Sequence, residues 1–377
     1  MNRPTVSVVI PTLNAGIQFG QLLAALRSQR LSGSVEILVI DSGSCDGSIE
    51  LARAAGASVT SIPRRFFHHG RTRNHAIQVS RGEFVVMTVQ DALPVDDSWL
   101  ARLLAPLLEF PVVAGSYGLQ AAPATAGLLA RARSAVWCES RSQASVRSLA
   151  APADFWEMPA EQRLELIRFD DVTSCVRRSV WEQIPFPEHD YGEDMGWAKS
   201  VLLAGHQVAF VPAAQVWHCH ERTWLYELRR AYVDGIARVL LAGWPSPLLS
   251  LGDALAMLRR LLFFLGTRRF DSVPDPDAAR RLLRAELHSY EPVAQLGSKP
   301  AQAYETALRF CWGLTNAAAR LHQGEPFPEK AWIGLLRYAL VAVVGQHLGT
   351  NSVGALQAPA FERSAWNMLH SILNRNV

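Results

Sequence analysis

Three short, nearly unbroken apolar runs, at residues 6–10, 37–40 and 84–89, constrain the fold of this chain more than any other feature. Each is bounded by polar or glycine-rich turns, and none alternates strictly between apolar and polar residues, as expected of strands covered on both faces in a parallel sheet. Parallel neighbours need crossovers, and the segments between the runs read as helices. Residues 17–30 carry Leu22, Leu23 and Leu26 at helical spacing, residues 46–55 start on a capping residue and stop at Gly56, and residues 72–80 stop near Gly82. This β-α-β-α alternation is half of a doubly wound α/β fold. Ligands of such sheets bind beyond the carboxyl ends of the strands, where helix N-termini favour phosphate. Three segments, Pro11-Thr12-Leu13-Asn14, Asp41-Ser42-Gly43-Ser44 and Gln90-Asp91-Ala92, are thereby drawn to one edge.

At 377 residues the chain exceeds the roughly 250–300 at which a single core stops growing, so a second unit is expected. Residues 112–119 and 208–211 are further strand candidates, and residues 121–159, rich in Ala, Ser and Arg, read as a loop or helix pair near an acceptor entrance. From residue 223 the character turns helical, with residues 225–241, 251–265 and 331–348 the best segments and a proline-bearing linker at 271–277. The apolar stretch 331–344 falls short of the ~20 residues a spanning helix needs and carries Arg337. Arg259 and Arg260 beside Leu261, Leu262, Phe263 and Phe264 fit a helix lying on an anionic membrane surface, or, as the blander reading, one packed against its neighbours.

A net charge of +3 gives no support to nucleic acid as a partner. Lys199, Lys299 and Lys330 are the only lysines among 37 basic residues, and the arginine fork suits phosphate and carboxylate. Five cysteines without a CxxC pair fit reduced thiols, and Met1 leads directly into a strand without a signal-peptide pattern, so a cytoplasmic location is expected.

The order SVVIPTLNAG, EILVIDSGSCDGS, FVVMTVQDALP resembles the nucleotide-binding half of the large family of inverting GT-A glycosyltransferases, glycosyltransferase family 2 in type. FFHHGRTRNHA and QDA are similar, more narrowly, to bacterial rhamnosyltransferases that build surface polysaccharide such as O-antigen. The resemblance covers about residues 5–222. It implies a GT-A catalytic domain over 1–222, with a Rossmann-like nucleotide half and an acceptor half, followed by a helical C-terminal region over 223–377.

The resemblance assigns donor-nucleotide contacts to Pro11, Thr12, Asn14, Asp41, Ser42, Arg71, Arg73, Asn74, Gln90 and Asp91. A carboxylate at a strand end such as Asp41 can accept from a ribose hydroxyl or a pyrimidine N–H, and the same residue type commonly closes a turn. Ser42 stands where the family usually has a second acid. Asp91 corresponds to the last Asp of the Asp-X-Asp motif, implying Mg²⁺ or Mn²⁺ bridging the donor diphosphate, while Gln90 replaces the first acid and lowers the negative charge of the site. His218, in VWHCH, matches a further metal ligand, with His220 the competing choice. Arg71 and Arg73 can clamp phosphate or hold the metal-binding carboxylate in place, or simply form a solvated helix start. His68 and His69 either reach the sugar or are simply exposed.

In YGEDMGWAKSVLLAG the family's general base falls on Asp194, with Glu193 orienting the acceptor or raising its neighbour's basicity. The bland alternative is a pair of acids that complements a helix dipole. Tyr191, and Trp224 in ERTW, are placed at the acceptor. The expected activity is inverting, metal-dependent transfer of L-rhamnose from dTDP-β-L-rhamnose to a saccharide or lipid-linked saccharide. Peripheral membrane contact and homo-oligomerisation through the C-terminal helices belong to the same expectation. A sugar nucleotidyltransferase would carry a Gly/Lys-rich phosphate loop, which PTLNAG is not, and a non-catalytic assembly protein would not need Asp41, Asp91, Asp194 and His218 together.

Overall fold

The computed structural model describes residues 5–139, 142–189, 191–220, 224–243 and Gly345. It divides into two units, Met1–Pro123 with Trp137–Cys219, and Ala124–Val136 with His220–Val377.

The first unit is built on the predicted alternation. Strand β1 (Val6–Thr12) leads to helix α1 (Phe19–Arg27), β2 (Val35–Asp41) to α2 (Ser48–Ala54), and β3 (Ser58–Ser61) to α3 (His69–Val79), which returns to β4 (Phe84–Thr88). Then come β5 (Leu93–Pro94), α4 (Trp99–Glu109), β6 (Val113–Ala121), α5 (Leu128–Glu139), most of which belongs to the second unit, β7 (Ser145–Arg147), α6 (Asp154–Glu157) and α7 (Ala160–Leu166). Strand β8 (Thr173–Arg177), α8 (Arg178–Trp181), α9 (Glu193–Leu203) and β9 (Gln207–Trp217) complete the unit. One sheet holds all nine strands in the order β3-β2-β1-β4-β8-β6-β9-β5, with β7 also paired to β9. Strands β3, β2, β1 and β4 are parallel, whereas β8 runs antiparallel to both β4 and β6.

The continuous apolar strands are buried as their composition requires. Val6, Val8, Ile10, Val39 and Val86 lie against Phe19, Leu22, Leu23 and Leu26 of α1 and Trp99, Leu100, Leu103 and Leu104 of α4. Each such side chain contributes about 1.5–3 kcal/mol on burial. On the other side an aromatic group, Tyr117, Phe169, Trp197, Phe186 and Phe210, seats α9 against the sheet. The apolar face of α9, Trp197, Val201 and Leu202, is fully buried. Asn74 fixes α3 to the segment before α9: its Nδ2 donates to the Phe186 carbonyl at 2.8 Å, and its Oδ1 accepts from Trp181 Nε1 at 2.8 Å and Phe186 N at 3.0 Å.

The reading of residues 121–159 as a loop or helix pair is refined to α5, β7 and α6. In the second unit α10 (Trp224–Ala242) matches the helix expected over 225–241, and Arg133 of α5 pairs with the buried Glu227 at 2.8 Å. The helices expected over 251–265 and 331–348 and the linker over 271–277 lie outside the described residues, apart from Gly345. Among the described residues no helix is long and apolar enough to cross a membrane.

Candidate active site

The loop after β1 offers four consecutive backbone N–H groups, and a side chain meets each. Leu13 N donates to Gln90 Oε1 at 2.8 Å, Asn14 N to Ser44 Oγ at 2.8 Å, Ala15 N to Ser48 Oγ at 2.9 Å and Gly16 N to Asp46 Oδ2 at 2.8 Å. A run of N–H groups of this kind can cradle an anion, but here the protein supplies the acceptors itself. Gln90 closes the bracket by donating from Nε2 to the Leu13 carbonyl at 3.2 Å. An acid at position 90 could make only one of those two bonds. Asn14 adopts φ 48°, tolerable for Asn, and its Oδ1 accepts from Cys45 N at 2.9 Å. Of the two roles open to Asp41, the turn is the one displayed: the carboxylate is buried, and its Oδ2 accepts from Gly43 N at 2.9 Å and Ser44 N at 3.2 Å. Ser42 and Thr12 are buried too, their hydroxyls donating to the Thr12 and Ile10 carbonyls.

Asp91, at the turn after β4, is 40% exposed, and its Oδ1 stands 3.5 Å from Nε2 of His218, a nearly buried ring just past the end of β9. Pairing of β6 with β9 sets this position, since Ala121 is opposite Trp217 and His218 N donates to the Ala121 carbonyl at 2.9 Å. At 3.5 Å the contact is too long for a good hydrogen bond. Two adjacent ligands about 2.1 Å from one octahedral cation lie roughly 3 Å apart, and a carboxylate oxygen with an imidazole nitrogen is a donor set that Mn²⁺ accepts. The residues therefore fit a divalent cation. Behind the ring, His218 Nδ1 is 2.6 Å from Gln120 Oε1, and Gln120 Nε2 donates to Asp170 Oδ2.

Next to Asp170 begins a buried charged cluster. Arg73 of α3 pairs with Glu193 at the first turn of α9 and has its Nε 3.0 Å from Asp171 Oδ2. The Nε–H does not aim at that oxygen, so both atoms lack a hydrogen bond although the charges are adjacent. Asp171 is pushed up to about 7, chiefly by burial, with Glu193 and Asp170 reinforcing the shift and Arg73 opposing it. Burial also raises the half-buried Asp194 well above the usual carboxylate range, followed by Glu193, Asp171 and Asp170, again against Arg73. Burial alone would weaken the charge on Arg73, but Asp171, Glu193, Asp194 and Asp170 together outweigh it and raise the guanidinium. One guanidinium thus faces four carboxylates, and the cluster retains a proton near neutrality.

Of the roles open to Arg73, holding a carboxylate is the one displayed: it is sealed against Glu193 and Asp171, and the Asn74 amide holds residues 181–186. The side chains of Gln90, Ser42 and Thr12 bind protein and shape the loop floor. Arg71 remains at the surface, 3.6 Å from Glu188, and Pro11 is half-buried at the end of β1. His68 caps α3, its Nδ1 accepting from Arg71 N at 3.4 Å. Tyr191 is half-buried beside the left-handed Gly192 that opens α9, while His220 and Trp224 belong to the second unit. Sequence reasoning missed Gln120, Asp170 and Asp171. Their partners lie 50 to 98 positions away, and no local pattern marks them.

Residues 7–135 match the family described as Glycosyl transferase family 2. The O-antigen chain rhamnosyltransferase RfbN of Salmonella typhimurium is 29% identical over 235 residues, covering 61% of this chain and 71% of the relative. WbaN of Salmonella anatum, also an O-antigen chain rhamnosyltransferase, is 28% identical over 237 residues, 62% of this chain and 72% of its own. Among solved structures, the mannosyltransferase PcManGT of Pyrobaculum calidifontis, in complex with GDP-Man and Mn²⁺, aligns with a TM-score of 0.48 at 19% identity, over 92% of this chain and 88% of that one. The matched residues 7–135 hold the parallel β3-β2-β1-β4 half of the sheet, so this part of the chain is similar in sequence to Glycosyl transferase family 2.

Proposed function

We propose that the protein is an inverting, metal-dependent rhamnosyltransferase that moves L-rhamnose from dTDP-β-L-rhamnose to a saccharide or lipid-linked saccharide, giving an α linkage. The observation that carries this reading is the polar connection from Asp91 through His218, Gln120 and Asp170 to the cluster of Asp171, Arg73, Glu193 and Asp194. It spans the two tasks of the reaction, neutralising a leaving diphosphate and accepting a proton from the incoming hydroxyl. The two Salmonella relatives support rhamnose as the sugar. In this proposal residues 1–222 are catalytic, and the reaction occurs in the cytoplasm, with the helical region from 223 meeting the membrane face or a second copy.

A divalent cation, when bound, would offset charge on the departing nucleoside diphosphate, and Asp91 and His218 would hold it. Because side chains occupy the N–H groups of residues 13–16, the donor's phosphates would be met at the rim, with Arg71, Pro11 and Asn14 alongside the cation. Asp194, ionised, takes the acceptor's proton. Its raised proton affinity makes it a stronger base than an ordinary carboxylate, at the expense of activity in acid. Glu193 is held by Arg73 and orients the acceptor hydroxyl, with Tyr191 beside the acceptor sugar.

The test is Asp194→Asn, which should abolish transfer from dTDP-L-rhamnose while leaving nucleotide binding measurable by calorimetry. Unchanged turnover would remove Asp194 as the base. A donor panel of dTDP-, UDP- and GDP-sugars, read by thermal stabilisation and hydrolysis, tests the sugar. Preferential stabilisation by a UDP-sugar would overturn rhamnose.

A further inference from the structure

Gln120 stands between the ring of His218 and the carboxylate of Asp170, and its amide has one acceptor and one donor end. The Asp170 carboxylate accepts at both oxygens. Its Oδ1 is engaged by Val172 N at 3.1 Å, and its Oδ2 receives the Gln120 Nε2–H. That fixes the orientation of the amide, so Oε1 must be the atom 2.6 Å from His218 Nδ1. An oxygen there demands a proton on Nδ1, which leaves Nε2, the nitrogen facing Asp91, with its lone pair.

We propose that Gln120, oriented by Asp170, is a positioning residue that locks His218 into the Nδ1–H tautomer and aims Nε2 at the Asp91 cation site. This rests on the cation reading above. The strand frame supports the arrangement: Gln120 pairs with Val216 across the β6–β9 ladder, and His218, just past β9, is tied to β6 by its N–H to the Ala121 carbonyl at 2.9 Å. Outer partners of metal-bound histidine change metal affinity by about 10–100-fold when removed.

The experiment uses the full chain and Mn²⁺ alone. In the metal-free protein, ¹⁵N chemical shifts of the His218 ring in alkaline buffer should report a protonated Nδ1 and a bare Nε2, and Gln120→Leu should convert this to a mixture. By electron paramagnetic resonance, Gln120→Leu should bind Mn²⁺ about 10–100-fold more weakly, yet add no further loss in a His218→Ala background. The exchanged pair Gln120→Glu with Asp170→Asn should restore both tautomer and affinity. Glu accepts from Nδ1–H and from the Asn amide, and the net charge is unchanged. This rescue would not follow if Gln120 served only folding. A dominant Nε2–H form in the parent protein, or normal Mn²⁺ binding by Gln120→Leu alongside weakened binding by His218→Ala, would overturn the role of Gln120 and leave the cation site standing. Equal Mn²⁺ binding by the parent and His218→Ala would remove the cation site itself, and this role with it.

Discussion

Replacing Arg73 by Met, similar in length but uncharged, removes the one cation from the buried cluster of Asp171, Glu193 and Asp194. Removing one partner of a buried pair costs about 3–5 kcal/mol, a large share of the roughly 5–15 kcal/mol that holds a domain folded. The loss should depend on pH in a calculable way. Asp171 is already pushed up to about 7 with Arg73 opposing the shift, so the substitution raises it further. A carboxyl raised on folding makes the folded state hold a proton that the unfolded chain has released. Stability therefore falls as pH rises from the ordinary carboxylate range to the folded value, and is level above it. In the parent protein the part of that fall due to Asp171 ends at about 7. In Arg73→Met it continues upward, so the gap between the two should widen by about 1.4 kcal/mol per pH unit between pH 7 and 9 for each extra proton held. Below pH 7 Asp171 holds that proton in both proteins, and the gap should settle to a level loss from the severed Arg73–Glu193 pair and the changed packing. Urea unfolding followed by circular dichroism at intervals from pH 6 to 9 measures it, with Arg73→Lys expected to fall between. A gap that is the same at every pH would refute the reasoning, since it would mean that Arg73 contributes packing and not charge compensation.

Asp194 is raised by burial and by three neighbouring carboxylates, so the acid limb of the transfer rate should lie above the ordinary carboxylate range; Asp171→Asn, which removes one of those charges, should move that limb to lower pH in a rate profile. Gln90→Ala removes two hydrogen bonds to Leu13 and should cost about 1–3 kcal/mol in urea unfolding, with Gln90→Asp retaining at most one of them. A methyl group at Gly118 would meet the Ala214 carbonyl oxygen at 1.8 Å and Thr173 Oγ1 at 2.9 Å; Gly118→Ala should therefore spread β6 from β9 and lower both the melting temperature and Mn²⁺ affinity, and an unchanged melting temperature would contradict the close approach. Asn74→Ala leaves Trp181 Nε1 and Phe186 N without their acceptor and should cost about 2–4 kcal/mol, read by the same unfolding assay.

What the sequence determined by itself is whatever local pattern encodes. The apolar runs became β1, β2 and β4 in parallel register, the helices between them ended near Gly56 and Gly82, and Glu193 and Asp194 opened a helix whose apolar face was already readable. The pairing of Asp91 with His218 was also within reach, because both residues sit in motifs that resemble a known family. Strand β8 was missed, since its antiparallel insertion between β4 and β6 depends on partners far along the chain. Only tertiary structure decided that Arg73 faces Asp171 and Glu193, that Gln90 brackets Leu13, and that Gln120 joins His218 to Asp170. Side-chain type tells which bonds a residue can make, but burial and the sheet's strand order choose the partner, and a charge taken from water binds whichever opposite charge the fold brings to it.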